Sequence, residues 1–343
     1  MPDQNSRPLV SFCQMYFNQE KFIEESLNSI LAQTYSPLEI IISDDASRDG
    51  TWQKVTSILA KYTGPHKIIT NRNEKNLGII GNWNKLCSLS SGELLVKGDG
   101  DDISAPYRVE RTVREWLKYN KEPMLLSSSC NTIDMQGNRI GELKVPIDGW
   151  DERDPESICN GWQFFHPGPS AAFNRKLFDS FGTITHFGSD IATYEGRAVM
   201  LGRLVGIKDA LVSYRVGSGY TTGQTNYRAS LSRSINHGLK SRYQLLEDLE
   251  YVRQSITPEH YALMKGIFER SAAYHQLSLQ LWNGSTFKER YGAFKKLWNK
   301  SATYKIKYIW LALLLPQSFS GFFLQLPIRM KKFAQYRLGR IFR

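Results

Sequence analysis

Three carboxylates within four positions, Asp99-Gly100-Asp101-Asp102, follow directly on the apolar run Leu94-Leu95-Val96. Carboxylates this close repel one another unless a cation or a hydrogen-bond donor neutralises them. Hard divalent ions such as Mg²⁺ or Mn²⁺ suit clustered carboxylate oxygens and commonly share them with a substrate's phosphates. Gly98 and Gly100 let the backbone turn here, but a turn uses one or two acids for its own hydrogen bonds, not three. Upstream, Asp44-Asp45 repeats the arrangement after Ile40-Ile41-Ile42 and before Ser47-Arg48-Asp49-Gly50-Thr51. Asp49 or Ser47 can cap the helix that follows. Two adjacent acids exceed what a cap needs, and a carboxylate at such a point can accept hydrogen bonds from a nucleotide base or ribose hydroxyl.

The elements that must carry these acids are legible as alternating patterns. Leu9 to Cys13, Leu38 to Ile42, Lys67 to Ile69, Glu93 to Val96 and Met124 to Leu126 read as strands. Between them, Ile23, Leu27, Ile30 and Leu31 recur at helical spacing, as do Trp52, Val55, Ile58, Leu59 and Tyr62. Helices are also expected over 81–89 and 107–119. Strand–helix alternation of this kind predicts an α/β fold, a Rossmann-like, mainly parallel sheet flanked by helices. Ligands of such sheets bind beyond the carboxyl ends of the strands, where both acidic clusters fall. Residues 129–220 carry Gly and Pro throughout and read as loops over a sheet extension. Helical patterns return from about 230 to 280. The chain therefore divides, on this reading, into a domain over 1–225 and a C-terminal helical region over 226–343.

Charge is distributed unevenly. Arg290 to Arg343 holds twelve Lys or Arg and no acid, so with a total of +11 residues 1–289 carry 11 − 12 = −1. Tyr308 to Ile328 is uncharged but interrupted by Pro316 and Pro327, with Lys305, Lys307, Arg329, Lys331 and Lys332 at its flanks. A basic, aromatic segment of this composition suits the interface of an anionic membrane more than a span. The tail, about 301–343, is expected to hold the protein peripherally on the cytoplasmic face of the plasma membrane. No nucleic-acid-binding module is recognisable, and nucleic acid is not an expected partner. The four cysteines, Cys13, Cys87, Cys130 and Cys159, lack metal-binding spacing and point to a reducing compartment. The first residues show neither a basic n-region nor a long apolar run, so no leader peptide is expected.

The ordered string from Val10 to Thr51, then Asn76-Leu77-Gly78, Asn82, Gly92-Glu93 and Asp99-Gly100-Asp101-Asp102, resembles the family-2 glycosyltransferases of GT-A fold, over about residues 8–220. The resemblance implies inverting transfer from a nucleotide-diphosphate sugar, with a UDP-linked donor expected. It places Asn18, Asn76, Gly78 and Gly100 at the nucleotide sugar and lets Asp44 and Asp45 read base and ribose. Asp99 and Asp101 would hold the donor and its divalent metal, Mn²⁺ or Mg²⁺, and Asp102 matches a frequent extra acid. Gly168-Pro169-Ser170 resembles the acceptor-side segment. Asp190, ahead of Arg197, takes the place of the general base, with Glu195 as the fallback; alignment on Arg197 puts Ile191 where a second acid usually stands. The expected acceptor is a saccharide or polyprenyl-linked saccharide of a surface polysaccharide. The Gln-x-x-Arg-Trp of pore-threading synthases is absent, since Gln224-Thr225-Asn226-Tyr227-Arg228-Ala229 does not fit it. A nucleotidyltransferase would be expected to carry a Gly-rich loop after its first strand, and Gln14-Met15-Tyr16-Phe17-Asn18 has no glycine. The single acid in Ser189-Asp190-Ile191 and Gly217 in place of a customary histidine leave a second reading, a non-catalytic membrane-bound sugar-nucleotide-binding or scaffold subunit.

Overall fold

Val10–Tyr16 is buried along its whole length and forms β1, the strand that lies between the two that end in acids. In the computed structural model, which describes residues 7–145, 147–151, 167–186, 188–217, 227–283 and 286–298, β1 runs parallel between two neighbours. These are β2 (Leu38–Asp44) and β4 (Leu94–Asp99), and β3 (Lys67–Arg72) extends the parallel set beyond β2. On the other side β9 (Ala172–Asn174) lies antiparallel between β4 and β6 (Pro123–Ile133), and β6 runs parallel to β10 (Arg203–Arg215). The two-residue strands β5 (Ile103–Ser104) and β8 (Gly149–Trp150) pair with β10, and β7 (Arg139–Leu143) pairs with β6. The path is β3-β2-β1-β4-β9-β6-β10-β5.

Strand periodicity of two sorts the buried side chains onto two faces. Phe12, Ile40 and Val96 pack with α1 (Ile23–Leu31), α2 (Thr51–Leu59) and α4 (Arg108–Lys118). Cys13, Ile41 and Leu95 face α3 (Gly78–Leu89), α5 (Arg175–Phe181) and α6 (Asp190–Leu201). Two long helices, α7 (Tyr227–Tyr251) and α8 (Pro258–Asn283), add Leu245, Ile267 and Phe268 to this second core. The last of the described helices, α9 (Phe287–Trp298), packs on α8.

The helical stripe at Ile23, Leu27 and Ile30 is buried as its spacing predicts. Two expectations need correction. The third helix starts at Gly78, not at 81, because a distant carboxylate satisfies its first backbone donors. Residues 129–220, expected as loops, contain the 13-residue β10 and the helices α5 and α6. Two glycines of this stretch are helix stops, Gly182 after α5 and Gly202 after α6. Cys13, Cys87 and Cys130 are buried free thiols, the last two pushed up to about 12 by burial. Among the described residues no helix is long and apolar enough to cross a membrane. The expected tail (301–343) and Cys159 lie outside the described residues.

Candidate active site

Register brings the two acidic segments to either side of one strand end. Asp44 is paired with Tyr16 across β1–β2, and Asp99 with Met15 across β1–β4. Gly100 makes the approach possible: a Cβ there would overlap the side chains of Gln19 and Tyr16 and come within 2.8 Å of the Met15 carbonyl. The loops after β1 and β2 are laced together. Asn18 N donates to Ser47 Oγ (2.9 Å), Gln19 N to Thr51 Oγ1 (2.8 Å) and Arg48 N to Asn18 Oδ1 (2.9 Å). Asn18 sits at φ +51°, an αL conformation that Asn tolerates better than most residues. Asp49 accepts from Thr51 N at 3.0 Å and from Glu20 N at 3.2 Å, so it serves helix α2 and the lacing at once.

Each carboxylate has its own surroundings. Asp44 is fully buried; it accepts from Ser47 Oγ, from Ser47 N and, at 3.2 Å, from Arg72 Nε. Asp45 organises the next loop: Oδ1 accepts from Leu77 N (2.8 Å) and Asn73 Nδ2 (2.9 Å), and Oδ2 from Gly78 N (2.9 Å). A carboxylate there satisfies the orphan donors at the start of α3 and complements its dipole. Asn76 Oδ1 also accepts from Gly78 N, and Gly78 itself adopts φ +74°. Asp45, Asn76 and Gly78 are therefore one structural unit.

Asp99 meets a cation from its own strand. Lys97, two residues earlier on the same face, places Nζ 2.7 Å and 2.6 Å from the two Asp99 oxygens and is itself buried. Asp101 and Asp102 are both buried. Asp102 Oδ1 accepts from Arg215 N at 2.9 Å, while Oδ2 is buried with no hydrogen-bond partner. Burial, then the charges of Asp101 and Asp99, push the Asp102 carboxyl well above the usual carboxylate range. Among the described residues no three acidic, His or Cys side chains are placed to hold a metal ion together. An orphaned buried carboxylate oxygen beside two further acids still fits a Mg²⁺- or Mn²⁺-type ion, which takes few protein ligands and the rest from phosphate and water. Asp101 and Asp102 are the residues that would hold it, whereas both Asp99 oxygens lie against Lys97 Nζ.

Two arginines frame the cluster. Arg215, at the end of β10, donates through Nε to the Asp101 carbonyl (3.0 Å) and through Nη1 to the Asp134 carbonyl (3.0 Å), and pairs with Glu25. Arg108, buried in α4, donates through Nη2 to the carbonyls of Lys97 (2.7 Å) and Pro169 (3.1 Å). It thereby ties β4 to the Gly168–Ser170 turn, at the cost of burial that draws its pKa down to about 10. Ser170 turns inward, donating to Ser128 O at 2.7 Å, so the Gly168–Ser170 segment presents backbone more than this hydroxyl. Lys97 and Arg108 were not among the residues singled out from the sequence. The Lys97–Asp99 pairing is readable from strand periodicity, whereas Arg108 looks like any basic helix residue.

Asp190 is the first residue of α6, with Ser189 as its N-cap. The Asp190 side chain lies outside the described residues. Ile191 is buried, and a Cβ on Gly168 would lie 3.9 Å from Ile191 Cβ, so the first turn of α6 adjoins the Gly168–Ser170 segment. Glu195 is also buried. Tyr194 fixes the helix over the sheet: its hydroxyl accepts from Trp83 Nε1 (3.0 Å) and its ring lies 4.5 Å from that of Phe173. Helix α7 then grips the approach to α6. Gln244 Oε1 accepts from Thr185 N (2.7 Å), Thr185 Oγ1 (3.0 Å) and His186 N (2.9 Å), and Ser241 Oγ accepts from Ser189 N (2.9 Å).

The sequence profile of glycosyl transferase family 2 matches residues 11–180. An uncharacterized glycosyltransferase of Haemophilus influenzae is 30% identical over 231 residues, covering 64% of this chain and 69% of its own. The chain belongs to glycosyl transferase family 2. The match with a Bacillus subtilis relative, 38% identical over 162 residues, spans only 55% of that relative's length. Among solved structures, Staphylococcus aureus TarS 1–349 in complex with UDP-GlcNAc superposes with a TM-score of 0.60 at 13% identity, covering 93% of this chain and 89% of that one. The mannosyltransferase PcManGT of Pyrobaculum calidifontis, in complex with GDP-Man and Mn²⁺, gives 0.55 at 20% identity, covering 94% and 87%. At these identities the likeness is one of fold, and it extends through the C-terminal helices. The GT-A fold expected of a family-2 chain is the fold observed.

Proposed function

We propose that this family-2 chain transfers a sugar, with inversion, from a nucleotide-diphosphate sugar to a hydroxyl of a saccharide or lipid-linked saccharide, with UDP as the first candidate carrier. The observation that carries the reading is the meeting of Asp44 with Asp99, Asp101 and Asp102 around the end of β1. Asn18, Asp44, Asp45, Asn76, Gly78, Asp99 and Gly100 form the donor side, some by contact and some by holding the loops. Gly168, Pro169 and Ser170 face the acceptor. A divalent ion held at Asp101 and Asp102 would supply positive charge where a diphosphate leaves. The structures of TarS with UDP-GlcNAc and of PcManGT with GDP-Man and Mn²⁺ support this chemistry by likeness of fold.

The chain's own part is positioning and proton removal. An acceptor hydroxyl is a weak acid, so its proton must leave as the new C–O bond forms. Asp190, opening α6 beside the acceptor turn, is the proposed base. Attack on the face opposite the diphosphate inverts the anomeric carbon in one step, and fixed placement of donor and acceptor supplies much of the rate. The basic tail would keep the enzyme at the cytoplasmic membrane surface, where lipid-linked saccharides for surface polysaccharides are presented. In domain terms, residues 1–225 carry the donor site, and 226–343 brace α6 and carry the membrane-facing segment.

Incubation with a panel of nucleotide sugars and Mn²⁺ should release nucleoside diphosphate slowly by donor hydrolysis, read by anion-exchange chromatography. Asp101→Asn should abolish the release and Asp190→Asn should abolish transfer to an acceptor while sparing donor binding. No release from any donor, with wild-type and Asp101→Asn indistinguishable, would instead support the non-catalytic reading.

A further inference from the structure

Helix α9 opens with a reciprocal cap: Glu289 N donates to Thr286 Oγ1 and Thr286 N to Glu289 Oε2, both at 3.2 Å. The one acid of this helix is thus held at its first turn. Ala293 and Leu297 are buried toward α8. Next to that buried face runs a stripe of rings. Phe287 is 69% exposed and Tyr291 49%. The rings of Phe287, Tyr291 and Phe294 stack in a row, with centroids 5.9 Å and 6.3 Å apart and planes inclined by 18° and 29°. Their spacing, i, i+4 and i+7, keeps them on one side of the helix. Lys288 and Lys295, both exposed, fall roughly a quarter turn further round, so a basic rail runs beside the aromatic one.

Phe294, at the end of the row, is half-buried, while Phe287 and Tyr291 stand open to water. A water-facing surface gains nothing from such rings, and contiguous exposed apolar groups mark an interaction site. The charge beside the row selects the partner. Lys288 and Lys295 flank it, and from Arg290 onward the sequence contains twelve Lys or Arg and no acid. Rings that prefer an interface next to ammonium groups that seek anions match an anionic bilayer surface. We propose that the Phe287–Tyr291–Phe294 face of α9 is a lipid-docking surface, its rings entering the headgroup region and Lys288 and Lys295 lying among anionic headgroups. The inference shares with the proposed function the assumption that the partner is lipid. It differs in giving the first contact to a folded helix that packs on α8, rather than to the tail alone.

The test is co-sedimentation of the full chain with phosphatidylcholine vesicles, with and without phosphatidylserine. Wild type should bind the phosphatidylserine vesicles and release them at high salt. Phe287→Ala/Tyr291→Ala and, separately, Lys288→Glu/Lys295→Glu should each weaken that binding about tenfold or more. Both variants change exposed groups, so their melting temperatures should match wild type; a variant that melts early is replaced by Phe287→Ser or Lys295→Gln. A parallel full-chain variant, Lys331→Glu/Lys332→Glu, reports on the tail. If wild type binds vesicles and the ring variant binds equally well, the α9 inference is overturned while the membrane reading survives. If wild type binds no vesicle, or binds duplex DNA through the same rings instead, both are overturned.

Discussion

Arg197 and Asp248 form a bidentate ion pair with both side chains fully buried, Nε to Oδ2 at 2.7 Å and Nη2 to Oδ1 at 2.9 Å. Arg197 belongs to α6 and Asp248 to α7, so the pair bolts the helix that begins at Asp190 to the C-terminal helices. Arg197 also donates to the Gly182 carbonyl at 2.9 Å, which fixes the turn after α5. Removing one partner leaves a buried charge without compensation, which costs about 3–5 kcal/mol. Asp248→Ala should therefore lower stability by about that much in chemical denaturation, and Asp248→Asn by less because an acceptor remains. Loss below about 1 kcal/mol in the alanine variant would show that water reaches Arg197 and that the pair is not structural.

Gln244, whose Nε2 also donates to Asp248 Oδ1, acts on the same region through neutral hydrogen bonds. Its Oε1 collects three donors from Thr185 and His186, just ahead of Gly188, Ser189 and Asp190. Gln244→Leu keeps the bulk and leaves those donors unpaired. The expected effect is a fall in kcat of about tenfold or more with the donor KM nearly unchanged, because small displacements of a catalytic group cost rate steeply. A carboxylate cannot make the Nε2 donation to Asp248 Oδ1 (3.0 Å), so Gln244→His, which can both accept and donate, is the variant expected to recover part of kcat. An equal rise in KM for the donor would place Gln244 in binding rather than in positioning.

Asp102 carries a prediction whose sign is the reverse of an ordinary site mutation. Its Oδ2 is buried without a partner beside Asp101 and Asp99, and its carboxyl is raised well above the usual range. Asp102→Asn keeps the acceptor for Arg215 N and removes a repelling charge. In metal-free buffer at pH 8 the variant should melt higher than wild type. The gain should shrink as pH falls, since the native carboxyl then takes up its proton and loses the same repulsion. With Mn²⁺ the order should invert, wild type being stabilised by the ion and the variant much less. A lower metal-free melting temperature for Asp102→Asn would mean that Asp102 is compensated by a group other than a bound cation.

Much of this site can be read from the chain before folding. Ile40-Ile41-Ile42 and Leu94-Leu95-Val96 announce buried parallel strands, and acids at their ends fall where such sheets bind ligands. What stays hidden is which acids face a ligand and which hold the scaffold. Asp45 looks like half of a binding pair, yet its two oxygens engage backbone donors more than thirty residues away at Leu77 and Gly78. Ser170 looks exposed in a Gly-Pro-Ser turn, yet its hydroxyl points to Ser128. Arg197–Asp248 and Arg108–Pro169 join segments 51 and 61 residues apart, and no local pattern encodes such pairs. Local propensity fixes the strand ends; tertiary hydrogen bonding assigns the duties of the side chains there.

His275 gives the fold a measurable response to acid. It lies between α8 and α7, donating from Nδ1 to the Ser271 carbonyl at 2.8 Å, with Gly238 against its ring. Burial, reinforced by the charge of Arg242, lowers its pKa from 6.5 to about 4. Below pH 6.5 the unfolded chain therefore takes up a proton that the native chain refuses, and stability falls with pH until about pH 4, where both states are charged. The full shift would be worth about 3 kcal/mol, and solvent reaching the half-buried ring trims this to about 2 kcal/mol. His275→Gln can keep the hydrogen bond to Ser271 but cannot titrate. Urea unfolding at pH 7.5 and at pH 4.5 should show the variant losing about 2 kcal/mol less than wild type between the two. Equal losses would assign the acid sensitivity to other groups and would mean that His275 is protonated in the native state with Arg242 beside it.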